Sequence, residues 1–260
     1  MKKTILILCL LTSLLTSIFI SAQIIETDKT MLWTSFGLSK KLNDKFSISY
    51  FQLNSLSLKD SRFNFIQPDL KIGYKLNKKW DLSINYTPTI SLDTVQGNQS
   101  IFHRVSSRIR VSTKVSKRIR MKNSITTEFH FTQRSKFKQR IYYRLDLFYR
   151  DTKLPWRLRP FISQKLYWYS GGRLLQYYDT DGVKTDLKAP NGLHAYRIKT
   201  GIKLYPTDKV SFSLYYQKQK EFNSSLFGTR EINSLNPNSN KIRRSFYDFS
   251  VIGVSLNYKL

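Results

Sequence analysis

One short phrase recurs along this chain: a strand ending in an aliphatic residue, a tight polar turn carrying Lys or Arg, then an alternating strand. It runs Phe36 to Leu42, Asn43-Asp44-Lys45 and Phe46 to Tyr50, and again Ile72 to Leu76, Asn77-Lys78-Lys79 and Trp80 to Tyr86. Val111 to Val115, Ser116-Lys117-Arg118 and Ile119 to Asn123 repeat it, as do Gly201 to Leu204, a turn through Pro206 and Asp208, and Val210 to Tyr215. Gly253 to Leu260 forms half of a further copy, which suits a strand that closes a sheet. Period-two alternation broken by turn residues is the signature of antiparallel hairpins. The chain is therefore expected to be all-β.

The frame yields strands near 31–42, 46–58, 65–76, 80–92, 101–115, 119–133, 140–150, 158–169, 194–204, 210–222 and 246–260. Bacterial barrels favour even counts. Twelve strands follow if residues 23–30 supply one more, and ten if the first repeat is not a hairpin. The Asp181-Gly182 turn between Tyr177 and Thr185 reads as a hairpin within an external loop.

The N-terminus gives the compartment. Lys2 and Lys3 precede an apolar stretch from Thr4 to Ile20, and Ser21-Ala22 stand before Gln23. This is the layout of a secretory signal peptide cut after Ala22, leaving residues 23–260 as one domain. Cys9, the one cysteine, falls inside that segment, so the mature chain has neither disulfides nor thiolate chemistry. After Ala22 no apolar run approaches the ~18 residues of a membrane helix. An exported chain can still span a membrane as a closed barrel, whose backbone groups are all paired between strands. The turns at 43–45, 77–79, 116–118 and 205–209 are short, whereas 59–64, 93–100, 134–139, 170–193 and 223–245 are longer. In outer-membrane barrels short turns face the periplasm and long loops the exterior.

The strand faces differ in polarity. Trp80, Leu82, Ile84, Tyr86, Pro88 and Ile90 oppose Asp81, Ser83, Asn85, Thr87 and Thr89. Ile119, Met121, Ile125, Phe129 and Phe131 oppose Arg120, Lys122, Glu128 and His130. The same alternation would serve a soluble sandwich with its apolar face inward. Aromatics near strand ends, among them Trp33, Trp80, Tyr86, Tyr149, Trp156, Trp168, Tyr205 and Tyr258, fit membrane girdles better. An antiparallel up-and-down transmembrane β-barrel is the reading adopted. Arg104, Arg108, Arg110, Arg120, Arg144 and Arg159 then point into the lumen, with Glu128 and Asp146 as acidic partners.

The formal net charge of +27 invites a nucleic-acid reading. Here the basic residues alternate with aliphatics on the strands of an exported chain, so that reading is set aside. Phospholipid headgroups and lipopolysaccharide phosphates are the expected counterparts, and small anions could enter a basic lumen. No metal cluster, phosphate cradle or cofactor motif is found. His103, His130 and His194 do not form the His-x-Ser pattern of outer-membrane lipid-modifying enzymes, because His130-Phe131-Thr132 offers Thr and His103 to Ser106 has the wrong parity. Asp179 and Asp181 read as residues of the loop hairpin.

Gly253, Leu256 and Tyr258 resemble the Gly-x-x-Φ-x-aromatic insertion signal read by barrel-assembly machinery, with Lys259 and Leu260 as extra residues. Trp33, the phrase from Gly73 to Trp80, Arg104, Arg144, Arg159 and the Ala22-Gln23 junction resemble the Bacteroidota-type barrel family called domain of unknown function 2490. That likeness implies an outer-membrane barrel of a Gram-negative bacterium and no assigned chemistry. A structural, interaction or assembly component with a plugged lumen is expected, with an anion channel or a lipid-modifying enzyme as alternatives.

Overall fold

The structure, a computed structural model, describes residues 29–59, 61–93, 98–131, 137–150, 154–179, 183–221, 233–235, 242–244 and 248–260. The signal segment expected over 1–22 lies outside them. The strands are β1 (Lys29–Lys41), β2 (Phe46–Ser57), β3 (Phe63–Lys75), β4 (Trp80–Asp93), β5 (Asn98–Lys114), β6 (Ile119–His130), β7 (Gln139–Tyr149) and β8 (Arg159–Ser170). They continue as β9 (Leu175–Tyr178), β10 (Lys184–Lys188), β11 (Gly192–Leu204), β12 (Val210–Glu221), β13 (Asn233–Leu235), β14 (Ile242–Arg244) and β15 (Phe249–Lys259).

Eleven of these strands form one closed barrel in the order β1-β15-β12-β11-β8-β7-β6-β5-β4-β3-β2. Neighbours pair antiparallel except at the seam, where β1 and β15 run parallel from Lys29↔Phe249 to Ser39↔Lys259. The expectation of twelve strands, or ten, in a purely antiparallel ring is thereby corrected. With β2 on one edge and β15 on the other, β1 has no edge left for a twelfth strand. An odd count places the first and last strands in the same direction, so their pairing must be parallel.

The repeated phrase folds as one repeated turn. Asn43 Oδ1 accepts from the amides of Lys45 and Phe46 at 2.9 and 2.8 Å, and Asn77 Oδ1 from those of Lys79 and Trp80 at 2.8 and 3.0 Å. Ser116 Oγ and Thr207 Oγ1 do the same for residues two and three further on. A short side-chain acceptor thus stands in for backbone at each tight reversal. At the opposite rim, β9 and β10 form the hairpin expected within the loop after β8.

Candidate functional site

The outer surface is apolar. Ile84, Ile125 and Leu214 are 63%, 57% and 52% exposed, and Tyr86, Ile109, Phe129, Trp168, Ile252 and Val254 are exposed beside them. The alternate positions Ser83, Thr87, Ser106, Ser124, Thr126, Ser163, Gln217 and Ser255 are buried. In a single closed wall, buried alternates are those that face the interior. Trp33 departs from the girdle expectation: its ring packs on Phe65 and Phe249, with the Arg197 guanidinium over it.

The half of the interior nearer the long loops is packed. Arg140 on β7 donates from Nε and Nη2 to Glu128 Oε2 on β6 at 2.6 and 2.5 Å. Arg104 Nε lies 3.8 Å from the other oxygen of Glu128, and His130 lies 3.7 Å from Oε2 and edge-on to Phe137. Tyr167, Tyr169 and Ala195 form a buried cluster that Phe137, Tyr142 and Leu175 flank. Tyr177, from the external hairpin, joins this cluster, and its neighbour Tyr178 is also buried. The loop therefore folds back onto the barrel interior.

A bulge completes this layer. The register of β8 and β11 slips between Leu193 and Ala195, so His194 and Ala195 are both buried although adjacent. An extra residue of this kind re-aims a side chain. His194 stacks on Tyr169 at 4.4 Å and its Nδ1 lies 2.8 Å from Glu221 Oε2. Gln219 donates to the other oxygen of Glu221, while Arg197 donates to Gln219. Of the remaining histidines, His130 faces inward and His103 contacts Tyr86 on the outer face, Nδ1 to hydroxyl, at 2.7 Å. Thr132 and Asp181 lie outside the described residues.

Nearer the short turns the interior holds more cations than carboxylates. Arg144 forks onto Asp146 Oδ1 at 2.8 Å, and Arg110 donates to Asp81 at 2.8 Å. Asp69 is satisfied by neutral donors, Asn85 and Thr87. Aromatic faces take several cations that form no ion pair among the described residues. Lys199 sits 3.3 Å from the Tyr215 ring, Lys165 4.6 Å from Tyr142 and Lys122 5.1 Å from Phe148. Such contacts strengthen when shielded from water. Arg108 Nε is buried with no hydrogen-bond partner among the described residues.

Arg120 and Arg159 sit at the short-turn mouth, lining a cavity of about 280 Å³ with Lys114, Lys117 and Arg150. Arg159 lies over the Tyr205 ring at 4.1 Å. Burial, then the charges of Arg159 and Arg120, push the Arg150 pKa below its usual value. Beside them Trp156 and Arg157 adopt left-handed backbone (φ 49° and 50°), a conformation rare outside glycine. Arg157 is held there by hydrogen bonds to Tyr205 carbonyl oxygen and by Asp208 at 2.5 Å. That hydrogen bond and the Arg157 charge keep the Asp208 carboxyl below the usual range.

In the terminal strand, a Cβ on Gly253 would run into the Tyr215 ring. Leu256 and Tyr258 pair with Phe36 and Leu38 across the seam. Sequence reading passed over Arg140, Tyr167, Tyr169, Tyr177 and the pair His194–Glu221. Arg140, Tyr167 and Tyr169 carry the right parity for the interior, whereas Tyr177 lies in the loop hairpin and the bulge at His194 leaves no such mark.

A closed single-chain β-sheet, apolar outside and polar within, has the build of the outer-membrane barrel class. The chain belongs to the family described as "Protein of unknown function (DUF2490)", whose model matches residues 30–227. No curated protein matches the chain. Among solved structures it is similar to LpxR from Salmonella typhimurium, at 10% identity and a TM-score of 0.49, over 82% of this chain and 83% of that one.

Proposed function

We propose that the protein, once exported and freed of residues 1–22, spans the outer membrane as a barrel with a sealed lumen and acts as a structural, interaction or assembly component. The buried layer of Glu128, Arg140, Tyr167, Tyr169, Tyr177, His194 and Glu221 carries this reading. Ion-paired and hydrogen-bonded side chains interleaved with aromatic rings would leave an ion no hydrated path. Barrels of this strand number lie between filled small barrels and open porins, so the side chains decide the outcome.

The exposed aliphatic belt would meet lipid. Short turns rich in Lys would face periplasmic headgroups, and the long loops would face lipopolysaccharide. Barrel-assembly machinery would read Gly253, Leu256 and Tyr258 in β15. Planar-bilayer recording on the refolded chain tests the sealed state, with no steady conductance expected. A steady, anion-selective conductance would replace this reading by the anion channel. The observation favouring that second reading is the excess of interior cations, including Arg108, Lys165 and Lys199.

A further inference from the structure

A second cavity opens at the short-turn mouth, against β3, β4 and β5, and encloses about 230 Å³. Its inner wall carries Lys71, Ser83, Arg108 and Arg110, with Asp81 the one carboxylate among its lining residues. Asp81 is engaged by Arg110 at 2.8 Å. Arg108 and Ser83 stand directly opposite one another on β5 and β4. The Ser83 side chain is buried, and both its Oγ and Arg108 Nε lack a hydrogen-bond partner among the described residues. Buried polar atoms are rarely left unsatisfied in a folded protein, so two adjoining ones on one cavity wall call for a missing acceptor.

Glycine keeps the space open. Gly73 stands between Lys71 and Lys75 in β3 and lines the cavity, and a Cβ there would reach Ser47 Oγ at 2.7 Å. At the rim, Lys45, Lys75, Lys78 and Lys79 complete a cationic approach. Such a funnel raises the local concentration of anions. A guanidinium and a hydroxyl, with an ammonium on the same wall, match the oxygens of a phosphate group.

We propose that this cavity binds a phosphate-bearing anion, held by Arg108, Lys71 and the Ser83 hydroxyl and admitted from the short-turn mouth. The site lies away from the buried layer that seals the lumen, and it stands whether or not the barrel conducts.

Calorimetry with inorganic pyrophosphate on the refolded chain in nonionic detergent, at low salt, tests the proposal. One saturable site is expected, weakening as added salt screens it. Arg108→Gln should weaken it about tenfold or more, the cost of one charge-assisted contact. Ser83→Ala should weaken it less, and Gly73→Leu should abolish it by filling the cavity. Heat-modifiable migration shows that each variant is folded, and Arg108→Gln alone decides if Gly73→Leu is not. Lys117→Gln, in the neighbouring cavity, should leave affinity unchanged.

A second arm places the barrel in phosphatidylcholine nanodiscs with and without phosphatidic acid, reading retained lipid by native mass spectrometry. Pyrophosphate binding assigns a soluble phosphate compound. Lipid retention that Arg108→Gln removes assigns a headgroup. The absence of saturable binding in both arms, or equal weakening by Lys117→Gln, overturns the site. A conductance trace cannot stand in for either arm, so this proposal and the sealed-barrel reading fail separately.

Discussion

Replacing Glu128 by Ala should strongly destabilise the barrel. Glu128 is 5% exposed and is the carboxylate that both Arg140 and Arg104 approach. Its loss removes two short bonds from Arg140 and strands a guanidinium away from water. Breaking a buried pair by deleting one partner costs ~3–5 kcal/mol, because the remaining charge is left uncompensated. The Arg140 guanidinium keeps the rings of Phe137 and Tyr167 at 5.4 and 5.2 Å. That contact offsets ~1 kcal/mol, placing the expected loss near ~3 kcal/mol. Glu128→Gln retains an acceptor and should cost less. Glu128→Gln combined with Arg140→Met removes both charges and should recover much of the loss, since no unpaired ion remains. Urea titration of refolding into lipid vesicles, followed by tryptophan fluorescence, gives these differences. A Glu128→Ala barrel within ~0.5 kcal/mol of the parent, the range of an ordinary surface change, would refute the buried-pair reasoning.

Ile125→Arg places a charge midway along β6 on the apolar face and should cost ~2–4 kcal/mol of stability in vesicles; an unchanged urea midpoint would argue against lipid contact there. Gly253→Ala should lower folding yield by displacing the Tyr215 ring, and Gly253→Ala with Tyr215→Ala should recover it in purified vesicles. No recovery would mean that Gly253 is needed for a reason other than this packing. The Asp208 clasp is expected to be pH-dependent. Its carboxyl is held below the usual range, so the bond to Arg157 contributes above that range and is lost as pH falls through the depressed value. Hydrogen exchange of residues 154–158 in Asp208→Asn at neutral pH should therefore match that of the parent chain in acid.

Much of the barrel was legible because its wall has one rule. Every second residue faces outward or into the interior, and a short polar side chain starts each tight turn, so Asn43, Asn77 and Ser116 mark hairpins in the sequence itself. The eleven strands accordingly fall close to their expected bounds. Strand count escaped the sequence because closure is a property of the ring. Alternation in β1 and β15 is the same whether they meet each other or a missing neighbour. The buried interior layer escaped for a different reason. Tyr177 lies in a loop hairpin some distance along the chain from Tyr169 and Ala195, and only folding brings the three together. His194 stands beside a loop in the sequence, and one extra residue in β11 turns it toward Glu221.

The parallel seam links this architecture to the asymmetry of the molecule. β15 ends at the short-turn rim, so β1, running beside it in the same direction, must begin at the long-loop rim. Parallel pairing is slightly weaker per residue than antiparallel pairing. Here it is continuous from Lys29 to Ser39 and reinforced inside by Trp33 against Phe249, with Arg197 over both rings. Arg197 in turn holds Gln219, which donates to Glu221 beside His194. The seam is thus tied to the packed interior layer through one guanidinium. Closing the ring and packing its loop-side half draw on the same side chains. In the other half Arg108 and Ser83 line the cavity that the proposed anion would occupy.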